Sequence, residues 1–386
     1  MPGPLAGVRV LELPAVGPVP FLGMLLADLG AEIVRVDKLP GAKMGLGDAM
    51  ISGPLGRGRR SIGLDLKTPE GVGVLLKLAE SADALIEGFR PGVAERLGVG
   101  PDAVLARNPK LVYGRMTGWG QHGPLSATAG HDINYLAITG LLHGIGPKDG
   151  PPVPPANYVA DFGGGSMFLA TGLLAALLHA RESGEGQVID AAMTEGAGYL
   201  GSMTRTFLSF GGWQDERGVN MLDGGAPNYR CYECADGKYL SVGAIEVQFW
   251  AVLCQALSFD VASTPSPYDP AQWDACADLL SATFKTRTRD EWAELFAPLD
   301  ACVAPVLTLA EAPNHPHNVA RGSYVQVGDA ILTGPTPKFS ATPGMTPAMT
   351  VTGGDSEALL AEAGYTADEL ATLRAAGAIA PARSTD

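Results

Sequence analysis

The sequence predicts an α/β protein built on a parallel sheet with helices on both faces. Two observations carry this. Short apolar runs alternate with stretches of helical spacing in strand–helix–strand order from the amino terminus onward. The composition is also that of a globular chain able to bury a sizeable core, with 46% hydrophobic and only 18% charged residues. The 386 residues allow two or three domains, and 51 glycines with 30 prolines announce many turns.

"VRVLEL" (8–13) reads as a buried strand, Val19 to Leu29 has helical spacing after a proline-rich entry, and "AEIVRVD" (31–37) reads as the next strand, a βαβ pattern. "TPEGVGVLLKLAESA" (68–82) reads as a helix with Thr68 as N-cap and Pro69 in its first turn. "DALIEGF" and "LVYGRM" are further strands. The proline-rich "GPKDGPPVPPANY" (146–158) is a loop, and "QVIDAAMTEGAGYLGSM" (187–203) reads as a strand followed by a small-residue helix. The stretch 205–228 carries little periodicity and reads as linker. "YRCYECADGKYLSVGAI" (229–245) reads as a hairpin turning at Asp236-Gly237 and opens a smaller domain. Helices are expected near 246–258, 270–285 and 288–297, and a terminal helical pair closes the chain. The expected boundaries are a large domain over 1–186, a linker region over 187–228, a small domain over 229–325, and a return to the large domain over 326–386.

Several classes are disfavoured. A formal charge of −14 argues against nucleic acid or an anionic membrane as partner. The longest apolar run, "MFLATGLLAALLHA" (167–180), falls short of the roughly 20 residues of a membrane span and reads as a core helix. No signal-peptide pattern opens the sequence, and "RSTD" (383–386) is not a peroxisomal address. Five cysteines, an odd number, fit a reducing compartment, and a cytoplasmic protein is expected. The first strand-to-helix turn, "LPAVGPVP", lacks the G-x-G-x-x-G fingerprint, which weakens a dinucleotide reading.

Three acid/base candidates stand out. His131 precedes an apolar stretch of helical spacing (Ile133, Leu136, Ala137, Ile138, Leu141, Leu142), expected to be a buried helix. A lone histidine is more often a satisfied core residue. A helix N-terminus changes the odds, because its N–H groups can hold an oxyanion, here on the Asp132 amide, and its partial positive charge favours a neutral imidazole. Asp161, in "NYVADFGGGS" (157–166), is either the N-cap of the long apolar helix or a general acid/base or nucleophile, with Gly163 to Gly165 letting a backbone or ligand approach. Glu246 is, alone, a solvated carboxylate near a helix start.

Arg57, Arg59 and Arg60 form a basic cluster, with Lys38, Lys67, Arg90 and Arg96 near other strand ends. Solvent-facing charge is the usual explanation. In so acidic a chain, a phosphate-rich ligand at the carboxyl edge of the sheet is modestly favoured over it. Cys231-x-x-Cys234 with His315 and His317 is not read as a metal site, because an odd separation on a strand puts the two thiols on opposite faces. Cys254, Cys276 and Cys302 read as ordinary apolar positions.

Taken together, "GVRVLEL", "LGAEIVRVD", "LDLK" (64–67), "EGFRPGV" (87–93), "RMTGWGQ", "GHDINY" (130–135), "VADFGGGS", "MLDGGAP" (221–227), "YECADGKYLSVGAIE" and "DACVAPVL" resemble the family III CoA-transferase superfamily, in order across most of the chain. Within it they are similar to the racemases of 2-methyl-branched acyl-CoA thioesters. The resemblance implies a Rossmann-like large domain, a smaller α+β domain, and an interlocked homodimer. The active site would then lie between one chain's large domain and the other chain's small domain. It implies His131 and Asp161 as the two acid/base groups that remove and return the α-proton through an enolate, with Glu246 supporting His131 from the partner chain. It places CoA contacts on Lys38, Arg60, Leu64, Asp65, Leu66, Lys67, Gly88, Phe89, Arg90 and Arg96. Further contacts fall on Gly130, Asp132, Ile133, Asn134 and Tyr135. CoA is part of the substrate, and no cofactor or metal is implied. Lys38 departs from the arginine frequent in relatives and loses the planar fork that stacks on adenine. Val247 and Trp250 depart from the proline and tyrosine expected after "GAIE". Met193, Met203 and Met221 offer either core packing or a pliable surface for acyl chains. The alternative within the superfamily is a CoA-transferase with Asp161 as nucleophile. A non-catalytic CoA binder is disfavoured by the presence of all three acid/base candidates.

Overall fold

The computed structural model describes residues 3–39 and 53–380, which form two compact units. Residues 383–386, where no peroxisomal address was found, lie outside the described residues.

The first unit comprises residues 1–139, 156–200 and 316–386. Its centre is a six-stranded parallel sheet of β1 (Arg9–Glu12), β2 (Glu32–Asp37), β3 (Arg59–Gly63), β4 (Ala84–Glu87), β5 (Val112–Thr117) and β6 (Val188–Ala192). The strand order is β3-β2-β1-β4-β5-β6, that of a doubly wound Rossmann-like sheet. The inner strands are buried on both faces, which is why they read as continuous apolar runs.

The helices of the sheet are α1 (Pro18–Asp28), α2 (Pro69–Ala79), α3 (Val93–Arg96) and α4 (Pro101–Arg107). Thr68 caps α2 as its composition predicts, its hydroxyl accepting from the Gly71 N–H at 3.1 Å, with Pro69 at the first position. One core cluster joins Leu11, Val34, Ile62, Leu75 and Leu85 to Leu359, Leu360 and Ile379. The chain end therefore packs on the sheet through α13 (Ser356–Glu362) and the segment after α14 (Ala367–Ala375).

The basic cluster corrects the sequence reading. Arg59 and Arg60 lie on β3, a strand the sequence did not announce. Arg57 and Arg59 face inward: Arg57 forks onto Asp28 at the end of α1, and Arg59 Nε donates to Glu12 of β1 at 3.0 Å. Both guanidinium groups are buried and neutralise buried carboxylates, so neither faces a ligand.

Around Asp161 the chain forms a π-helical segment, Tyr158–Ser166, which continues into α6 (Met167–Ser183) and is followed by β6 and α7 (Met193–Leu200). The strand and small-residue helix expected over 187–203 are β6, at the sheet edge, and α7, so the first part of the region drawn as linker from 187 belongs to the first unit. Helix α6 buries Leu169, Leu173 and Leu177 on one face, while Leu178 is exposed.

The second unit comprises residues 140–155 and 201–315. After α8 (Ser202–Ser209), the antiparallel strands β7 (Tyr229–Glu233), β8 (Tyr239–Gly243) and β9 (Val303–Pro305) form one sheet. The hairpin turns at Asp236-Gly237 as expected, with Gly237 at φ 74°, a left-handed conformation that glycine takes without steric cost. Helices α9 (Val247–Ala256), α10 (Trp273–Phe284) and α11 (Arg289–Phe296) cover this sheet with a core of Trp250, Phe284, Trp292 and Phe296. Cys254 and Cys276 are buried apolar residues, whereas Cys302 is exposed at φ 51°, unlike the apolar position expected. Cys231 is exposed and Cys234 buried. The chain returns to the first unit with α12 (Pro316–Arg321), followed by the hairpin β10 (Tyr324–Val327) and β11 (Ala330–Thr333).

Candidate active site

In an open α/β sheet, ligands bind beyond the carboxyl ends of the strands where the strand order reverses. Here the order reverses between β1 and β4. A cleft of about 580 Å³ opens there, between the loop after β1 (Val16, Gly17) and the loop after β4 (Gly88, Phe89, Arg90). Its volume is that of a small-molecule site. Further walls come from the end of β5 with Trp119, from Gly130, His131 and Tyr135, and from Asp161 with Met193.

His131 is the N-cap of α5 (Asp132–Ile138), with extended backbone at φ −134°. Its N–H donates to Asn134 Oδ1 at 3.1 Å, which fixes the helix entry and leaves the ring to the cleft. The helix is shorter and less buried than its apolar spacing suggested. Asp132, Tyr135 and Leu136 are its buried residues, while Ile133 and Ile138 are 43% and 61% exposed. Tyr135 packs edge-on against Trp119 with ring centroids 4.8 Å apart, and its hydroxyl donates to the Gly130 carbonyl. Gly118 makes room for this ring, since a Cβ there would sit 2.0 Å from Tyr135 Cε1.

Asp161 is not the N-cap of α6. It lies within the π-helical segment, a form common at functional sites. The segment is held on three sides. Phe162 stacks on Phe21 of α1 at 4.6 Å, and the Ser166 hydroxyl donates to the Pro18 carbonyl at 2.7 Å. The third contact uses the glycines: a Cβ on Gly164 would lie 2.4 Å from the Ala197 nitrogen, so the segment crosses α7 backbone against backbone. These glycines thus admit a neighbouring helix, one of the two roles their spacing suggested.

The half-buried carboxyl of Asp161 reaches the cleft, and Asn157 Nδ2 donates to it at 3.3 Å. Burial pushes its pKa above the ordinary carboxylate value. The Asn157 hydrogen bond opposes this, the negative charge of Asp132 adds to it, and His131 opposes it. A carboxyl with raised proton affinity, in one cleft with an imidazole, can serve as a general acid or base.

The remaining residues singled out from the sequence fall into three groups. Gly88, Phe89, Arg90, Gly130 and Tyr135 line the cleft with His131 and Asp161. Lys38 and Leu64 to Lys67 follow β2 and β3 and so extend the same carboxyl edge outside it. Lys38 and Lys67 are exposed, Leu64 and Leu66 are buried, and Asp65 Oδ1 accepts the Lys67 N–H at 3.0 Å. Arg96 is exposed at the end of α3, and Ile133 and Asn134 are exposed on α5. Arg60 stands apart: its guanidinium pairs with Glu32 at the amino end of β2 and with Glu362 of α13, at 2.7 Å each. Glu246 belongs to the second unit, exposed at the N-cap of α9, with Val247 exposed beside it and Trp250 in that unit's core.

Sequence reasoning missed Glu87 and Arg115. Glu87 is fully buried, takes Arg115 Nε at 2.9 Å on one oxygen, and accepts the Phe89 N–H at 2.5 Å on the other. Arg115 also pairs with Glu95 at 2.7 Å. The signal was present as an acid and a base inside the apolar runs "ALIE" and "VYGRMT".

Residues 5–352 match CoA-transferase family III, and the chain belongs to that family. It is similar to the alpha-methylacyl-CoA racemase of Mus musculus, at 45% identity over 340 residues, 88% of this chain and 87% of that protein. With the Homo sapiens alpha-methylacyl-CoA racemase the identity is 41% over 370 residues, 95% of each chain. It is also 32% identical over 366 residues to the succinyl-CoA–D-citramalate CoA-transferase of Chloroflexus aurantiacus, 89% of each chain. Among solved structures, a CAIB/BAIF family protein from Brucella suis superposes with a TM-score of 0.81 at 25% identity, covering 94% of this chain and all of that one. The family and the α/β architecture that the sequence motifs implied are thereby established.

Proposed function

We propose that the protein is a racemase of 2-methyl-branched acyl-CoA thioesters. The observation that carries this reading is the pairing of His131 and Asp161 in one cleft at the switch point, with the proton affinity of Asp161 raised. Inverting a carbon beside a thioester requires one group to take the α-proton and another to deliver a proton to the opposite face. An imidazole and a separate carboxyl meet that need. The racemase relatives at 41–45% identity support the same activity.

In this mechanism one of the two groups removes the α-proton, and the electron pair moves into an enolate. The backbone N–H of Asp132 donates to the thioester oxygen as charge develops there. The other group returns a proton to the opposite face. The CoA portion runs along the carboxyl edge past Arg90, with Lys38, Lys67 and Arg96 supplying cationic partners for its phosphates. No cofactor beyond the CoA of the substrate enters the scheme. The working form is an interlocked homodimer in the cytoplasm, in which the partner subunit's Glu246 supports His131.

The deciding experiment incubates (S)-2-methylacyl-CoA with the protein in D2O without any acceptor acid. Loss of the α-proton signal together with appearance of the R isomer is the expected result. A second reading, a CoA-transferase, draws on the same Asp161 carboxyl and on the transferase relative. There the carboxylate attacks the thioester carbonyl, expels CoA thiolate and forms a mixed anhydride; the thiolate attacks the aspartyl carbonyl, which gives an enzyme thioester and frees the donor acid as its carboxylate, and an acceptor carboxylate then takes the CoA by the reverse steps. CoA transfer that appears only when a carboxylic acid is added, without α-proton exchange, would establish that reading instead.

A further inference from the structure

Asp132 is 5% exposed, yet only one of its carboxylate oxygens is engaged. Oδ2 accepts two backbone N–H groups, from Ala160 and from Asp161, each at 2.8 Å. Oδ1 is buried without a hydrogen-bond partner among the described residues. A buried acceptor left unpaired is costly, and more so on a charged group. Asparagine would make the same two bonds through its carbonyl oxygen without burying a charge. Something other than the clamp therefore has to account for an acid at this position.

We propose that Asp132 is a positioning residue for Asp161, its Oδ2 holding the two peptide N–H groups of the segment that carries the acid. The inference rests on Asp161 acting as an acid/base group. Two features support it. The clamp grips the peptide N–H of Asp161 itself, so the carboxyl is referenced directly to α5 and hence to His131, the residue preceding Asp132. The charge of Asp132 also raises the proton affinity of Asp161, against the opposing influence of His131.

Other charges on the elements packed against the π-helical segment are occupied or turned away. Arg115 of β5 pairs with Glu87 and Glu95, Asp28 of α1 pairs with Arg57, Asp190 of β6 accepts the Gln121 N–H, and Glu195 of α7 is exposed. His179, Arg181 and Glu182 lie in the exposed last turns of α6, and Arg90 lines the cleft, where its charge acts on Tyr135.

The test compares Asp132→Asn and Asp132→Ala with the wild type. The pH profile of α-proton exchange is measured on (S)-2-methylacyl-CoA in D2O, and hydrogen exchange of the Ala160 and Asp161 amides on the same samples. Asp132→Asn is expected to keep both amides protected and to move the Asp161-dependent limb of the profile to lower pH. Asp132→Ala is expected to lose amide protection and to lower kcat by on the order of ten- to a hundredfold, the scale for a slightly misplaced catalytic group, with KM little changed. An Asp132→Asn profile that superimposes on the wild type overturns the inference, as does wild-type kcat with full amide protection in Asp132→Ala. If the alanine variant does not fold, the asparagine profile decides alone. If the wild type exchanges no α-proton, the racemase reading fails separately. Amide protection and a carbon-13 titration of the Asp161 carboxyl in Asp132→Asn then judge the inference without substrate, an unmoved titration overturning it.

Discussion

The carboxylate of Glu87, at the last position of β4, accepts the backbone N–H of Phe89 two residues further on, while Arg115 of β5 closes on its other oxygen. A buried ion pair between adjacent strands thereby sets the turn that presents Gly88, Phe89 and Arg90 to the cleft. Burial pushes the pKa of Glu87 above the ordinary value, and the Phe89 N–H and the Arg115 charge oppose that rise. Glu87→Ala leaves Arg115 buried with one partner gone. It should cost about 3–5 kcal/mol in denaturant unfolding and weaken CoA-thioester binding with it. An unfolding midpoint equal to the wild type would show that the turn does not depend on this pair.

The two acid/base groups should separate stability from activity. His131 is exposed and Asp161 half-buried, so neither carries the core. His131→Ala and Asp161→Ala should each lower the rate of α-proton exchange roughly a hundredfold or more, with circular dichroism unchanged. Near-full activity in either variant would remove it from the chemistry.

Asp161 also predicts a pH dependence. Its pKa in the folded chain is raised, so the folded state holds the proton more tightly than the unfolded chain does. Its contribution to stability is fully present below the unfolded value and is lost as pH rises through the folded one. Asp161→Asn should therefore raise the melting temperature at neutral pH relative to the wild type, and the gain should vanish under acid conditions. Thermal melts of both proteins at the two pH values check this, and a variant no more stable than the wild type at neutral pH would contradict it.

The arginines should divide sharply. Charge reversal at Arg90, on the cleft wall, or at Arg96 should mainly raise KM for the acyl-CoA. Arg60→Gln should leave KM unchanged, because that side chain is committed to Glu32 and Glu362. Steady-state kinetics on the three variants would settle the matter, and a KM rise in Arg60→Gln would return that residue to the CoA path.

Arg59→Met tests the buried counterpart of the same cluster. It strands the Glu12 carboxylate in the core and should cost about 3–5 kcal/mol in denaturant unfolding. Replacing Glu12 and Arg59 together by apolar residues should recover much of that loss.

The sequence by itself determined the α/β class, because period-two and period-3.6 patterns report which residues are buried on a strand or a helix. It also singled out His131 and Asp161, one at the entrance of an apolar stretch and the other beside a glycine run. It could not show the fate of Arg57 and Arg59, since an arginine buried against Glu12 or Asp28 and an arginine facing a phosphate look alike until the partner's position is known. It missed β3, because "RRSIG" opens on two arginines and holds one large apolar residue, so it does not read as a buried run although the strand is largely buried. Only the tertiary structure put the cleft at the reversal between β1 and β4, gripped the Asp161 peptide with Asp132, and placed Arg60 toward Glu32 and Glu362. Each of these is a pairing between residues distant in sequence, and such pairings are decided when strands find their neighbours, not by local propensity.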